Sequence, residues 1–240
     1  MVQSLLLGVA MNSQLITMLL IAGLNIPVFL ELYKYALKSK PTWLKIVIML
    51  VYWGAAIATQ TFAAVIGILY LYFAYYKTKR VEDDSDSTDF GGLKLFDVIK
   101  VLAMTAGARA VILLIQIVYA IILIELVKYN IKPQDIVTYY SEAKLIYKLV
   151  MAVEIIAIAP IVEEFAFRYF LYGKVLAPRM PLFIAAIFSS VLFTISHFNI
   201  SGVPTFFILG LLCTYLFHKK GYWAAVIAHA ASNLFTLLLI

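Results

Sequence analysis

Charge is scarce in this chain. Only 13% of its 240 residues are Asp, Glu, Lys or Arg, against about a quarter in an ordinary soluble domain, while 64% are hydrophobic. A soluble globule of this length leaves much of its surface wet and could not hide that excess, so lipid is implied as the solvent. Cysteine is nearly absent. The one copy, Cys213, lies in an apolar run, which excludes an internal disulfide and a cysteine-based metal cluster. Met1 to Gly8 carries no positive side chain, and no small-residue cleavage site clearly follows a short apolar core, so the start reads as a retained span rather than a secretory signal. Ten-residue segments of alternating polarity are missing, which excludes a β-barrel. A Gly-rich phosphate loop, a useful internal repeat and a DNA-binding motif are missing too. The net charge of +6 sits mostly in short polar breaks between apolar runs, where it reads as headgroup and topology charge rather than nucleic-acid binding.

What is present is a series of apolar runs: Leu15 to Leu37, Leu44 to Tyr76, Phe96 to Tyr129, Leu145 to Leu176, Leu182 to His197, Val203 to Phe217 and Trp223 to Ile240. A helix needs about 20 residues to cross the hydrocarbon, and each run except the shortest suffices for one crossing. The expected fold is all-α, a polytopic transmembrane helical bundle with seven or eight spans. The second run exceeds one upright helix and fits a hairpin turning near Thr59, Gln60 and Thr61, which gives eight spans. Charge favours the hairpin, since Lys38, Lys40 and Lys45 precede the run and Lys77, Lys79 and Arg80 follow it, and an even number of crossings puts both clusters on the cytoplasmic side. By alternation Lys174, Arg179, Lys219 and Lys220 also face the cytoplasm, and Asn130 to Ser141 lies outside. The expectation is one membrane domain over 1–240: N-terminal spans over 1–142 with a polar loop near 77–95, and a core over 143–240.

The hydrophilic stretch Val81 to Gly92 gathers Glu82, Asp83, Asp84, Asp86 and Asp89 and reads as a solvated loop, its spacing unlike an EF-hand. Within the spans ionisable groups are costly, and each suggests a functional site unless it can snorkel. Three clusters cannot easily do so: Glu163, Glu164 and Arg168; His197; and His229 with Asn233. Glu164 and Arg168 are four apart, so on a helix they stack and can pair. Glu163 lies about 100 degrees around the helix and needs another partner. His229 and Asn233 share one helix face. Such groups can simply tie helices together, but a base, a proton shuttle and oxyanion donors are also what peptide hydrolysis requires. Glu163, His197, His229 and Asn233 supply that set.

The order Glu-Glu-x-x-x-Arg, then Phe-x-x-x-His, then His-x-x-x-Asn, each within an apolar run, resembles the CAAX prenyl endopeptidase and bacteriocin-processing family, also called the Abi family, of multi-spanning membrane proteases. The likeness covers roughly the C-terminal 90 residues; the N-terminal half fits only as generic spans. The resemblance implies an intramembrane glutamate endopeptidase in which Glu163 and His197 activate a water, His229 and Asn233 stabilise the oxyanion, and Glu164 and Arg168 organise the site. It implies no cofactor. Zinc is disfavoured because His-Glu-x-x-His spacing is absent and no cysteine is near. The implied substrate is a hydrophobic or lipidated peptide, such as a prenylated Cys-a-a-X tail that loses its last three residues, or a pheromone or bacteriocin precursor. The implied setting is a multi-pass protein among membrane lipids, of the bacterial type, in the plasma membrane.

Two other readings use the same residues. A non-catalytic peptide-binding, immunity or scaffold protein would keep the polar groups to hold the bundle together, although such a protein could lose any of them without penalty to binding. A small transporter fits less well, without an evident inverted repeat or broken helix pair. Tyr70 to Tyr76, Trp43, Trp53, Tyr222 and Trp223 suit interfacial belts. His218, beside Lys219 and Lys220, reads as a loop residue. Glu31 and Glu125 can reach an interface, Glu154 is placed to face the cavity, and Asn199 is close enough to His197 to line it. Counted at about 1.5 Å per residue, Glu163 lies about 16 Å from Lys174, His229 about 12 Å from Gly221 and His197 about 24 Å from Pro181, so upright helices would not bring them level.

Overall fold

The computed structural model describes residues 13–76, 90, 92–131 and 135–239. The described residues form helices and no strand. In chain order these are α1 (Ser13–Leu32, continued by a wider turn over Tyr33–Leu37), α2 (Thr42–Thr59), α3 (Phe62–Leu71, continued over Tyr72–Tyr76), α4 (Leu95–Glu125), α5 (Asp135–Glu142), α6 (Leu145–Leu176), α7 (Leu182–Ile195), α8 (Val203–Lys220) and α9 (Tyr222–Leu238). Four of them, Met18–Leu37, Thr42–Thr59, Leu95–Glu125 and Leu145–Leu176, are long and apolar enough to cross a membrane; Phe62–Ala74, Leu182–Ile195 and Tyr222–Leu238 are shorter apolar helices. The protein is a multi-pass membrane protein, and its exposed side chains fit lipid: Leu114, Ile117, Val118 and Ile121 form one outward face of α4. The acidic stretch 81–89 and the first twelve residues lie outside the described residues.

The chain divides into two compact units, Met1–Tyr75 and Tyr76–Ile240. In the first, the expected break in the long apolar run occurs at Gln60 and Thr61, with Gln60 at φ 56. Asn25 secures that turn from α1, its amide donating to the Gln60 carbonyl at 3.0 Å and to Ile21 at 2.9 Å. Tyr52 of α2 donates to Asn25 Oδ1 at 3.1 Å, so this buried amide is satisfied by its own helix, by α2 and by the turn that follows α2.

The second unit carries all three motifs. Here α8 packs on α7, α9 and α4, and α9 packs on α4 and α6. Lys220 at the end of α8 pairs with Asp97 at the start of α4 at 2.8 Å, while Thr205 at the start of α8 donates to Gln116 Oε1 farther along α4 at 3.1 Å. The two helices therefore run antiparallel. Close approach of α7 and α8 depends on Gly210, where an added Cβ would stand 2.9 Å from Ser190 Cβ. The break between α8 and α9 is Gly221, at φ 86. His218, expected in a loop, is the third-last residue of α8, because the helix continues to Lys220; its ring lies 3.5 Å from the Tyr172 hydroxyl. Asp135–Glu142, within a stretch expected as a polar break, is helical.

Candidate active site

The irregularity of α6 begins the site. At Glu154–Ile158 the helix widens, and the Ala159 N–H reaches back five residues to the Glu154 carbonyl. In that register the Ile155 carbonyl would wait for an N–H on residue 160, which is a proline and has none. Asn233 of α9 supplies the donor instead, its Nδ2 lying 2.8 Å from the Ile155 oxygen. One amide thus repairs a break in the neighbouring helix and fixes α9 against α6, two turns before the glutamates.

One residue-step apart, Glu163 and Glu164 point to different surroundings, as the helical rotation between them requires. Glu164 is fully buried and accepts from Arg168 Nη1 at 3.0 Å on Oε1. The same oxygen lies 2.7 Å from His229 Nδ1. Arg168, equally buried, also donates to the Gly210 carbonyl at 3.3 Å and lies over the Phe193 ring at 4.2 Å. Two charges held in an apolar interior need such neutralisation and bonding. The expected pair is present, and it includes a third member from α9.

Glu163 is partly exposed and faces the other way. Its Oε2 lies 3.8 Å from His229 Nε2 and 4.0 Å from His197 Nε2, with no hydrogen-bond partner among the described residues. His197 stands just beyond the last residue of α7, in a turn whose next residue, Phe198, takes φ 47. A bulky residue uses that backbone region rarely, so the turn is held there by its surroundings. The His197 ring is seated by the Phe193 carbonyl, 2.8 Å from Nδ1, and by Phe206, stacked at 3.9 Å.

These bonds settle the imidazole nitrogens. A carbonyl and a carboxylate oxygen accept, so Nδ1 carries the proton in both rings. A neutral ring then presents a bare Nε2, and in both cases that nitrogen is the one turned toward Glu163. The three side chains converge although axial counting places them at different levels. Counting assumes upright helices starting at one height, and contacts of 4 Å or less exclude that arrangement.

Beside them is a cavity of about 470 Å³, lined by Glu163, His197, His229 and Asn233 and by the expected Glu154 and Asn199. Asn199 also accepts from the Gly202 N–H at 2.8 Å, shaping the turn before α8. Arg109 of α4 lines the cavity as well, and no motif points to it. Its signal in the sequence is position alone, the fifteenth residue of a 31-residue apolar helix. Among the described residues no three His, Cys, Asp or Glu side chains are grouped to hold a metal ion.

No curated protein and no solved structure matches the chain. Residues 145–235 match the family model described as Rce1-like, type II CAAX prenyl endopeptidase, a stretch that takes in α6, α7, α8 and most of α9 with every residue of the three motifs. The resemblance read from Glu163 to Asn233 is thereby shown, as a likeness of these C-terminal helices to the Rce1-like, type II CAAX prenyl endopeptidase family.

Proposed function

We propose that the protein is an intramembrane endopeptidase that hydrolyses a hydrophobic or lipidated peptide at Glu163. The observation that carries this is the grouping of Glu163 Oε2 with two imidazole Nε2 atoms, at 3.8 and 4.0 Å, beside a mainly apolar cavity. A water at that point would lie within hydrogen-bonding reach of all three groups. Glu163 takes its proton, with His197 Nε2 as a second acceptor, while the water oxygen adds to the peptide carbonyl carbon. The proton then passes to the departing nitrogen as the carbon–nitrogen bond breaks, leaving a carboxyl and an amino terminus.

Oxyanion stabilisation falls to His229 and Asn233. With Nδ1–H committed to Glu164, His229 can donate from Nε2 only as the imidazolium, and two glutamates flank the ring to support that charge. Asn233 gives one amide hydrogen to Ile155 and has a second, which is available to the substrate. Arg168 and Glu164 organise the site by holding His229. The CAAX-type family assignment makes a lipidated or hydrophobic peptide the expected substrate class, with a prenylated tail or a pheromone or bacteriocin precursor as its concrete forms.

The direct test is cleavage of fluorogenic apolar peptides, prenylated and not, by the purified protein, alongside Glu163→Ala and His197→Ala and with a chelator present. Activity lost in both variants and indifferent to the chelator is the expected result. A well-folded wild type that cleaves none of them overturns the proposal in favour of peptide binding alone.

A further inference from the structure

Among the described residues Arg109 is a cation without a salt-bridged anion. It sits near the middle of α4, about 21 Å from the first residue and about 24 Å from the last by helical rise, too deep for a lipid headgroup. Only 8% of it is exposed, yet it lines the cavity. Its Nη2 donates to Thr236 Oγ1 at 3.1 Å, its buried Nε has no partner, and it forms no salt bridge among the described residues. A guanidinium that is buried, unneutralised and turned to a ligand-sized cavity is the natural receptor for a carboxylate, which it binds with two parallel hydrogen bonds.

The position of this cation along the site is set by α9. His229, Asn233 and Thr236 follow at spacings of four and three residues and line the same cavity. From His229 to Thr236 is seven residues, or about 10.5 Å of helix rise. An extended peptide advances about 3.3–3.6 Å per residue, so that distance corresponds to about three residues. A carbonyl held between Glu163 and His229 would then have the end of its chain at Arg109 when three residues follow the cleaved bond.

Resting on the endopeptidase reading above, we infer that Arg109 binds the free C-terminal carboxylate of the substrate and measures the cut from that end. The three-residue tail that the CAAX-type resemblance implies would then be set by the reach from this cation, and what is new is the role of Arg109. The enzyme's specificity lies in the distance from Arg109 to Glu163 as well as in the side chains of the tail.

The test uses the full chain in phosphatidylcholine nanodiscs and pairs of apolar peptides ending in either a carboxylate or a carboxamide, with products identified by mass spectrometry. The wild type should favour the acid by about tenfold to a hundredfold in kcat/KM, the range of a charge-assisted hydrogen bond. Adding one residue to the tail should move the cut by one. Arg109→Met should bring the acid-to-amide ratio near one, and Arg109→Lys should restore part of it. Equal cleavage of acid and amide by the wild type, or an unchanged ratio in Arg109→Met, overturns the inference and leaves the endopeptidase reading in place. A merely structural Arg109 would lower both rates together, which also overturns it.

Binding of fluorescent apolar tripeptide acid and amide, read by anisotropy, separates the two proposals. Acid-selective binding lost in Arg109→Met sustains the carboxylate site even if no peptide is cleaved, whereas equal binding removes it. If phosphatidylglycerol in the nanodisc abolishes the acid preference, the anion is a lipid headgroup and the inference fails.

Discussion

Glu164 Oε1 accepts hydrogen bonds from both His229 Nδ1, at 2.7 Å, and Arg168 Nη1, at 3.0 Å. One buried oxygen therefore links the structural ion pair of α6 to the imidazole of α9. Because His229 Nδ1 is held there, its Nε2 is turned to Glu163, and the two adjacent glutamates act on opposite sides of one ring.

Glu163→Gln keeps the shape of the side chain and removes its basicity. Cleavage should fall by about 10²–10⁴-fold, the range of a general base, with the thermal unfolding midpoint in detergent close to that of the wild type. Near-full turnover in a rate assay would exclude Glu163 as the base.

Glu164→Ala leaves Arg168 charged and buried, so it should lower stability by about 3–5 kcal/mol as well as activity. Thermal or denaturant unfolding in detergent measures the loss. The double variant Glu164→Ala with Arg168→Met should recover part of the stability and none of the activity, since His229 still lacks its orienting carboxylate. Unchanged stability in Glu164→Ala with lost activity would place Glu164 in the chemistry alone.

Asn233→Ala leaves the Ile155 carbonyl without the donor that stands in for the missing N–H at Pro160. Stability should fall by about 1–3 kcal/mol, and hydrogen exchange should quicken around residues 154–160. Loss of turnover without either change would leave Asn233 a purely catalytic role.

Gly210→Ala would place a methyl 2.9 Å from Ser190 Cβ and 3.1 Å from Ser190 Cα, on the residue whose carbonyl accepts from Arg168. Separation of α7 from α8 should cost about 1–3 kcal/mol in an unfolding assay and reduce activity. Ser190→Gly should partly rescue it, and the absence of coupling between the two changes would show that the contact is slack.

Much of this protein was open to inspection in one dimension. An apolar run must be satisfied as helix in lipid, so the helices, the break at Gln60 and Thr61 and the membrane setting follow from composition and run length. A four-residue spacing brings side chains together on one helix, so the Glu164–Arg168 pair follows from local geometry. The motif order carried the family resemblance because residue type and spacing were enough to recognise it.

Other features depend on rotations and offsets between helices, which spacing along one helix does not encode. The sequence offered Glu163 no partner, and only the approach of α7 and α9 to α6 supplies His197 and His229. Asn233 bonds Ile155 because a proline and a widened turn lie opposite it, a pairing 78 residues apart in the chain. Arg109 is one cation in a long apolar helix until α4 settles against α8 and α9 and turns it to the cavity. Composition and local spacing, acting through the cost of unsatisfied polar groups in lipid, determined that the chain is helical, membrane-embedded and marked by three polar motifs. Tertiary structure decided which of those groups face one another, because contacts between helices are set by side-chain fit across surfaces distant in sequence.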